Sequence, residues 1–211
     1  DVFKRQYFLH AIDKEVLKKT IFPLGELKKE NVRQIAKENS LITSNKKDST
    51  GICFIGERNF RKFLKKYFND QPGEIISNEG TVIGVHEGLM YYTYGQRQGL
   101  GIGGGYGTLD APWYVSDKIT EENRLIAVQG HDHPHLYHSF LTASNITWIS
   151  GYSPDENDII TSKIRYRSKD SACKIKNQSD SILVEFDIPQ FAVAPGQSIV
   201  FYKDEVCIGG G

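Results

Sequence analysis

The sequence predicts a mixed α and β fold, with a helical opening third followed by strand-rich domains. Three observations carry that reading. Apolar residues recur at helical spacing up to about position 70. From Asp70-Gln71-Pro72-Gly73 onward, proline and glycine punctuate short segments of alternating polarity. The chain has 211 residues, of which 39% are hydrophobic and 11% aromatic, enough for one large core or two to three small ones and unlike a disordered composition.

The elements follow in order. Asp13 is placed to cap a short helix over 14–19, its carboxylate accepting from free backbone amides. Val32, Ile35 and Ala36 give helical spacing in a charged segment that ends near Asn39. Phe60, Phe63, Leu64 and Tyr67 lie at i, i+3, i+4 and i+7, which predicts a helix with a core-facing stripe. Arg58, Arg61, Lys62, Lys65 and Lys66 cover the rest of that helix and read as a solvated face. Strands at 74–77 and 81–85 flank Asn78-Glu79-Gly80, a hairpin signal with a glycine able to take positive φ. Further strands are expected at 113–115 and 125–129, and then, after His138, at 145–149, 162–167, 172–175, 182–186, 198–202 and 205–208. That spacing predicts a small barrel or sandwich.

Composition excludes several classes. Formal net charge is zero, so no global field favours nucleic acid or an anionic membrane, and any RNA contact must come from a local patch. No apolar run approaches the roughly 20 residues that span a bilayer, and Asp1-Val2-Phe3-Lys4-Arg5 has no signal-peptide character. Three widely spaced cysteines, Cys53, Cys173 and Cys207, do not make a disulfide framework and fit a reducing, cytoplasmic setting. Asn145-Ile146-Thr147 matches a glycosylation pattern, by chance in such a setting. Both ends read as cut, because the chain begins without methionine and stops on Gly209-Gly210-Gly211 directly after an expected strand.

Four segments bear on chemistry. Cys53 sits between Gly51 and Gly56, with Lys46, Lys47 and Arg58 near in sequence and a helix expected just after it. Cations and a helix start both favour the thiolate, the nucleophilic form of cysteine, while a small buried Cys between Ile52 and Ile55 is the plain alternative. The glycine run 99–105 lacks the following helix and Lys-Ser/Thr of a phosphate cradle, and reads as a connection within a β domain. Its neighbour, 95–97, is a weaker candidate for RNA contact. His131, His133, His135 and His138 surround Pro134 without a nearby Cys or a fixed helical face, so no metal ligand is assigned. Lys163, Arg165, Arg167 and Lys169 alternate with other residues, which predicts four cations on one strand face. From 163 to 176 there are six Lys or Arg against a single Asp, the one basic concentration dense enough to suggest phosphate contacts. Cys173 and Cys207 sit among strand-like residues and read as packed rather than reactive.

Several long blocks resemble one known family in order along the chain. KDSTGICFIGERNFRKFL, FPLGELKKENVRQIA, GLMYYTYGQRQGLGIGGG, PWYV, QGHDHP, RYR and PGQSIVFYKDEVCIGGG are similar to the matching blocks of tRNA-specific 2-thiouridylases, from about Tyr7 onward. The resemblance implies a helical tail of an α/β ATP-pyrophosphatase-type domain over 1–69, a small central β domain over 70–135 and a C-terminal β-barrel over 136–211. It implies ATP-dependent transfer of sulfur to C2 of the wobble uridine of tRNA, with Cys53 at the position of the persulfide carrier. Arg165, Tyr166 and Gln197 match positions that touch tRNA. The family's ATP-binding glycine-serine loop and its Asp-x-x-Cys-Asn motif have no counterpart here, and the first five residues depart from the pattern. The ATP site and the second catalytic cysteine, with which Cys53 would form a disulfide, are therefore expected upstream, and the chain alone is expected to be inactive. Implied partners are tRNA, a persulfide sulfur-donor protein and the missing N-terminal catalytic region. The alternative is a non-catalytic tRNA-binding module.

Overall fold

The computed structural model describes residues 7–46, 60–103, 106, 110–155 and 158–211. The architecture is mixed α and β, mostly β, and the contacts divide it into two compact units. One comprises 50–138 with 189–195, the other 1–49 with 139–188 and 196–211. Among the described residues no helix is long and apolar enough to cross a membrane.

In the first of these, helix α3 (Phe60–Leu64) precedes strands β1 (Gly73–Ser77), β2 (Val82–His86), β3 (Trp113–Ile119) and β4 (Arg124–Gln129). The sheet order is β2-β1-β4-β3. The first hairpin forms where the turn residues demand it: Gly80 takes φ +86°, its amide donates to the Ser77 carbonyl, and Ser77 donates to Thr81. β1 also pairs parallel with β4, setting Ile75 beside Leu125 and joining two local hairpins into one sheet. Ile75, Val115, Leu125 and Ala127 are fully buried in its core, with Ile83, Tyr91, Tyr92 and Leu100 around them.

The expected aromatic stripe is shorter than the period suggests. α3 ends at Leu64, which packs on this core, while Tyr67 is 68% exposed and only meets the Phe63 ring at 5.2 Å. The cations of that helix are not all solvated. The Arg61 guanidinium lies over the Tyr92 ring at 5.4 Å and donates to the Gly99 carbonyl at 3.2 Å. Lys65 pairs with Asp70 at 2.8 Å, and Asp70 accepts from the Tyr91 hydroxyl at 2.7 Å. These contacts pin the helix to the sheet, and they hold the Asp70 carboxyl below its usual range and raise the Lys65 ammonium.

The remaining elements are helices α1 (Lys14–Lys18) and α2 (Lys29–Glu38) and strands β5 (Tyr137–Ser144), β6 (Thr147–Trp148), β7 (Ile160–Lys163), β8 (Ser171–Asn177), β9 (Ser181–Phe191), β10 (Val200–Lys203) and β11 (Val206–Gly210). Asp13 caps α1 as expected, accepting from the Glu15 amide at 2.7 Å. The strands form one sheet in the order β5-β9-β8-β7-β10-β11-β6. Alternation along β9 buries Ile182, Val184 and Phe186 and turns Glu185 outward. The strand expected at 145–149 contracts to two residues, because Asn145 adopts φ +54° and breaks the extended run.

Candidate nucleic-acid interface

The basic segment is built differently from its sequence pattern. β7 stops at Lys163, and β8 returns antiparallel from Ser171, so 164–170 is the loop of a hairpin. The four cations do not share a strand face. Lys163 is 7% exposed and its ammonium pairs with Asp170 at 3.3 Å across the base of the loop. Ile164 stays buried, and the chain then turns, the Ser168 amide donating to the Arg165 carbonyl at 3.0 Å. The Ser168 hydroxyl donates to the same carbonyl at 2.8 Å, a local side-chain bond of the kind that favours turns over strands. Arg165 is half-buried, while Tyr166 and Arg167 are exposed on the tip.

Gln197 lies elsewhere in sequence, in the turn that leads into β10. Gly196 there takes φ +77°, a conformation L side chains rarely adopt, and Gln197 is exposed. Ile199 then enters the core and exchanges backbone hydrogen bonds with Gly211.

Tyr7 connects these two segments. Its ring is in the core cluster with Val200, Tyr202 and Cys207, only 7% exposed. Its hydroxyl donates to the Ser198 carbonyl at 2.8 Å, next to Gln197. Its ring centroid is 6.0 Å from that of Tyr166, and Phe8 meets Tyr166 at 4.8 Å. Burial raises the Tyr7 phenol, partly offset by the Arg165 guanidinium. Tyr7, which sequence reasoning did not single out, thus meets Tyr166, lies within electrostatic reach of Arg165 and bonds the backbone next to Gln197. Tyr7 carried no local signal, since its partners lie more than 150 positions away.

Cys53 lies outside the described residues. Cys173 and Cys207 are free and buried; burial raises both thiols, Cys207 to about 11. Three of the four histidines, His131, His133 and His135, are engaged locally. His131 stacks on Phe191 at 4.6 Å, and the His133 ring accepts from the His135 amide at 3.2 Å. No group of three or more His, Cys, Asp or Glu is set to hold a metal among the described residues. In the glycine run, Gly99 and Gly101 take positive φ while Leu100 between them is 5% exposed and fills the core.

Three family descriptions match successive stretches of the chain: "tRNA methyl transferase HUP domain" over 1–57, "tRNA methyl transferase PRC-barrel domain" over 61–129, and "Aminomethyltransferase beta-barrel domain" over 138–211. The chain is therefore of the class that joins a HUP domain to two small barrel-type domains. Among curated proteins, the tRNA-specific 2-thiouridylase MnmA of Francisella tularensis subsp. tularensis (strain WY96-3418) is 54% identical over 206 residues, covering 97% of this chain and 57% of its own length. The protein of the same name from Hydrogenovibrio crunogenus is 53% identical over 207 residues, covering 98% and 55%. The chain belongs to the tRNA-specific 2-thiouridylase family. It spans a little over half the length of the curated relatives it matches.

Proposed function

We propose that this chain is the tRNA-binding and sulfur-relaying part of an ATP-dependent tRNA-uridine 2-sulfurtransferase. The observation that carries the reading is the convergence of Arg165, Tyr166 and Gln197 around Tyr7, on a chain whose relatives are named for tRNA 2-thiolation. A half-exposed Arg165 beside an exposed Tyr166 suits RNA, the one for phosphate and the other for a base face.

In this reading ATP adenylates the uridine O2, releasing pyrophosphate, and the ATP site lies in the portion of the relatives that this chain does not cover. Cys53 carries a persulfide received from a donor protein. Its terminal sulfur attacks C2 and AMP leaves, so that a C2–S bond replaces the C2–O bond. A second cysteine thiolate, outside this chain, then attacks the Cys53 sulfur. The product leaves as 2-thiouridine, and the resulting disulfide is reset by a dithiol reductant. The cytoplasm supplies the donor and the reductant. Phe8, Ile21, Phe22, Leu24, Leu41 and Ile42 are exposed, more apolar surface than a short segment ordinarily leaves in water, and it suits packing against the uncovered catalytic region.

The test is thiolation of an unmodified tRNA transcript by the full-length protein with ATP and a persulfide donor. Wild type yields 2-thiouridine. Cys53→Ser yields none while binding tRNA with unchanged affinity, since a hydroxyl cannot hold a transferable sulfur. Normal product from Cys53→Ser would end the relay assignment.

A further inference from the structure

Tyr7 is buried, yet it touches both segments of the candidate interface through different groups. The phenol oxygen holds the Ser198 carbonyl, and the ring packs against that of Tyr166 at a tilt, with centroids 6.0 Å apart. Phe8 extends that support, meeting Tyr7 at 5.4 Å and Tyr166 at 4.8 Å. The neighbouring His10 ring is hydrogen bonded to the Tyr7 carbonyl at 2.7 Å and packs near Gly210, so the segment is tied down on both sides of its central ring. Val200, Tyr202 and Cys207 share one buried cluster with the Tyr7 ring, and such close packing restrains it.

We infer that Tyr7 is a positioning residue for RNA binding: it locks the 164–170 loop and the 196–198 turn into one preassembled surface. This rests on the reading of that surface as an RNA interface. Free, the two segments would have to be ordered against each other at the moment of binding, and that lost freedom would weaken the complex. Locked, they present Arg165, Tyr166 and Gln197 together before RNA arrives. Tyr7 itself is too buried to touch RNA. Its contribution is therefore to affinity, not to the number of phosphates contacted.

Tyr7→Phe isolates the effect, because it deletes the hydroxyl and keeps the ring. In the full-length protein, with an unmodified tRNA transcript, Kd rises about 3- to 10-fold, the range of one hydrogen bond. The slope of log Kd against log salt stays at its wild-type value, because no phosphate contact is removed. Amide hydrogen exchange speeds up at Ser168, which donates to the Arg165 carbonyl, and at Ile199, which donates to the Gly211 carbonyl, and stays slow at Val184, which is fully buried on β9. Tyr7→Leu, which also removes the ring, weakens binding further and loosens the 164–170 loop more.

An unchanged Kd in both variants overturns the proposal. So does a fall in salt slope matching that of Arg165→Ala, which would make Tyr7 a direct contact. Faster exchange at Val184 as well would reduce Tyr7 to a general core residue and overturns it too. Arg165→Ala and Gln197→Ala separate the two levels. If neither alters tRNA binding, the interface reading itself fails; if both do and the Tyr7 variants do not, only the positioning role fails.

Discussion

Sequence alternation treats Lys163, Arg165, Arg167 and Lys169 as equivalent; the structure separates them, and a salt titration reads the separation. Lys163 is 7% exposed and paired with Asp170, whereas Arg167 stands on the loop tip and Arg165 beside it is half-buried. Each phosphate contact contributes about 0.7–0.9 to the slope of log affinity against log salt. Replacing Arg165 and Arg167 together by Ala removes two contacts, or about 1.4–1.8 of slope. Between about 50 mM and about 200 mM salt, the variant then loses about 7- to 12-fold less affinity than wild type. Lys163→Met behaves in the opposite way. It leaves the slope alone, because the ammonium is turned to Asp170, and lowers stability by about 1 kcal/mol, the upper end for an ion pair with one partner partly open to solvent. Filter binding across a salt series, with thermal unfolding of each variant, gives both numbers. A flattened slope for Lys163→Met, or an unchanged one for the double variant, refutes the reasoning.

Two further outcomes follow from burial. Leu125 is fully buried where β4 joins the two hairpins, so Leu125→Ala lowers unfolding stability by about 2–5 kcal/mol in a denaturant titration. His86 is 1% exposed, bonded through Nε2 to the Asn123 carbonyl at 3.0 Å, and burial lowers its pKa, an effect that bond only partly offsets. Its neutral form is therefore favoured by folding. That contribution is whole above the unfolded value of about 6.5 and is lost as pH falls from there through the lower folded value. The midpoint of thermal unfolding should drop on acidification across this window more in wild type than in His86→Gln, and equal drops would remove His86 as the cause.

What could be read from sequence was what neighbours in sequence determine. The Asn78-Glu79-Gly80 hairpin and the Asp13 cap needed only local turn and capping chemistry, and both are present. The parallel pairing of β1 with β4 was not legible, because nothing in either strand names its partner. The 162–167 segment misled for a physical reason: period-2 alternation is necessary for a half-buried strand but does not force one. Here the Lys163–Asp170 pair across the base of the loop and the Ser168 turn win over extension. β5 escaped notice because Tyr137–Ser144 has no clean alternation, with Phe140 66% exposed and Ala143 buried. In the candidate site, Arg165 was legible from the density of cations over 163–176 as well as from family resemblance, and Tyr166 and Gln197 from the resemblance alone. Tyr7, which joins them, required the fold.

The most direct test of the central claim is where sulfur lands. The full-length protein is exposed to a persulfide donor, its free thiols are then alkylated under native conditions, and its peptides are weighed. One added sulfur is expected on the Cys53 peptide, with fast alkylation there in protein not exposed to the donor. Cys173 and Cys207, buried and with raised thiol pKa values, stay unmodified. Added sulfur on Cys173 or Cys207, with Cys53 inert, would contradict the assignment of Cys53 as the sulfur carrier.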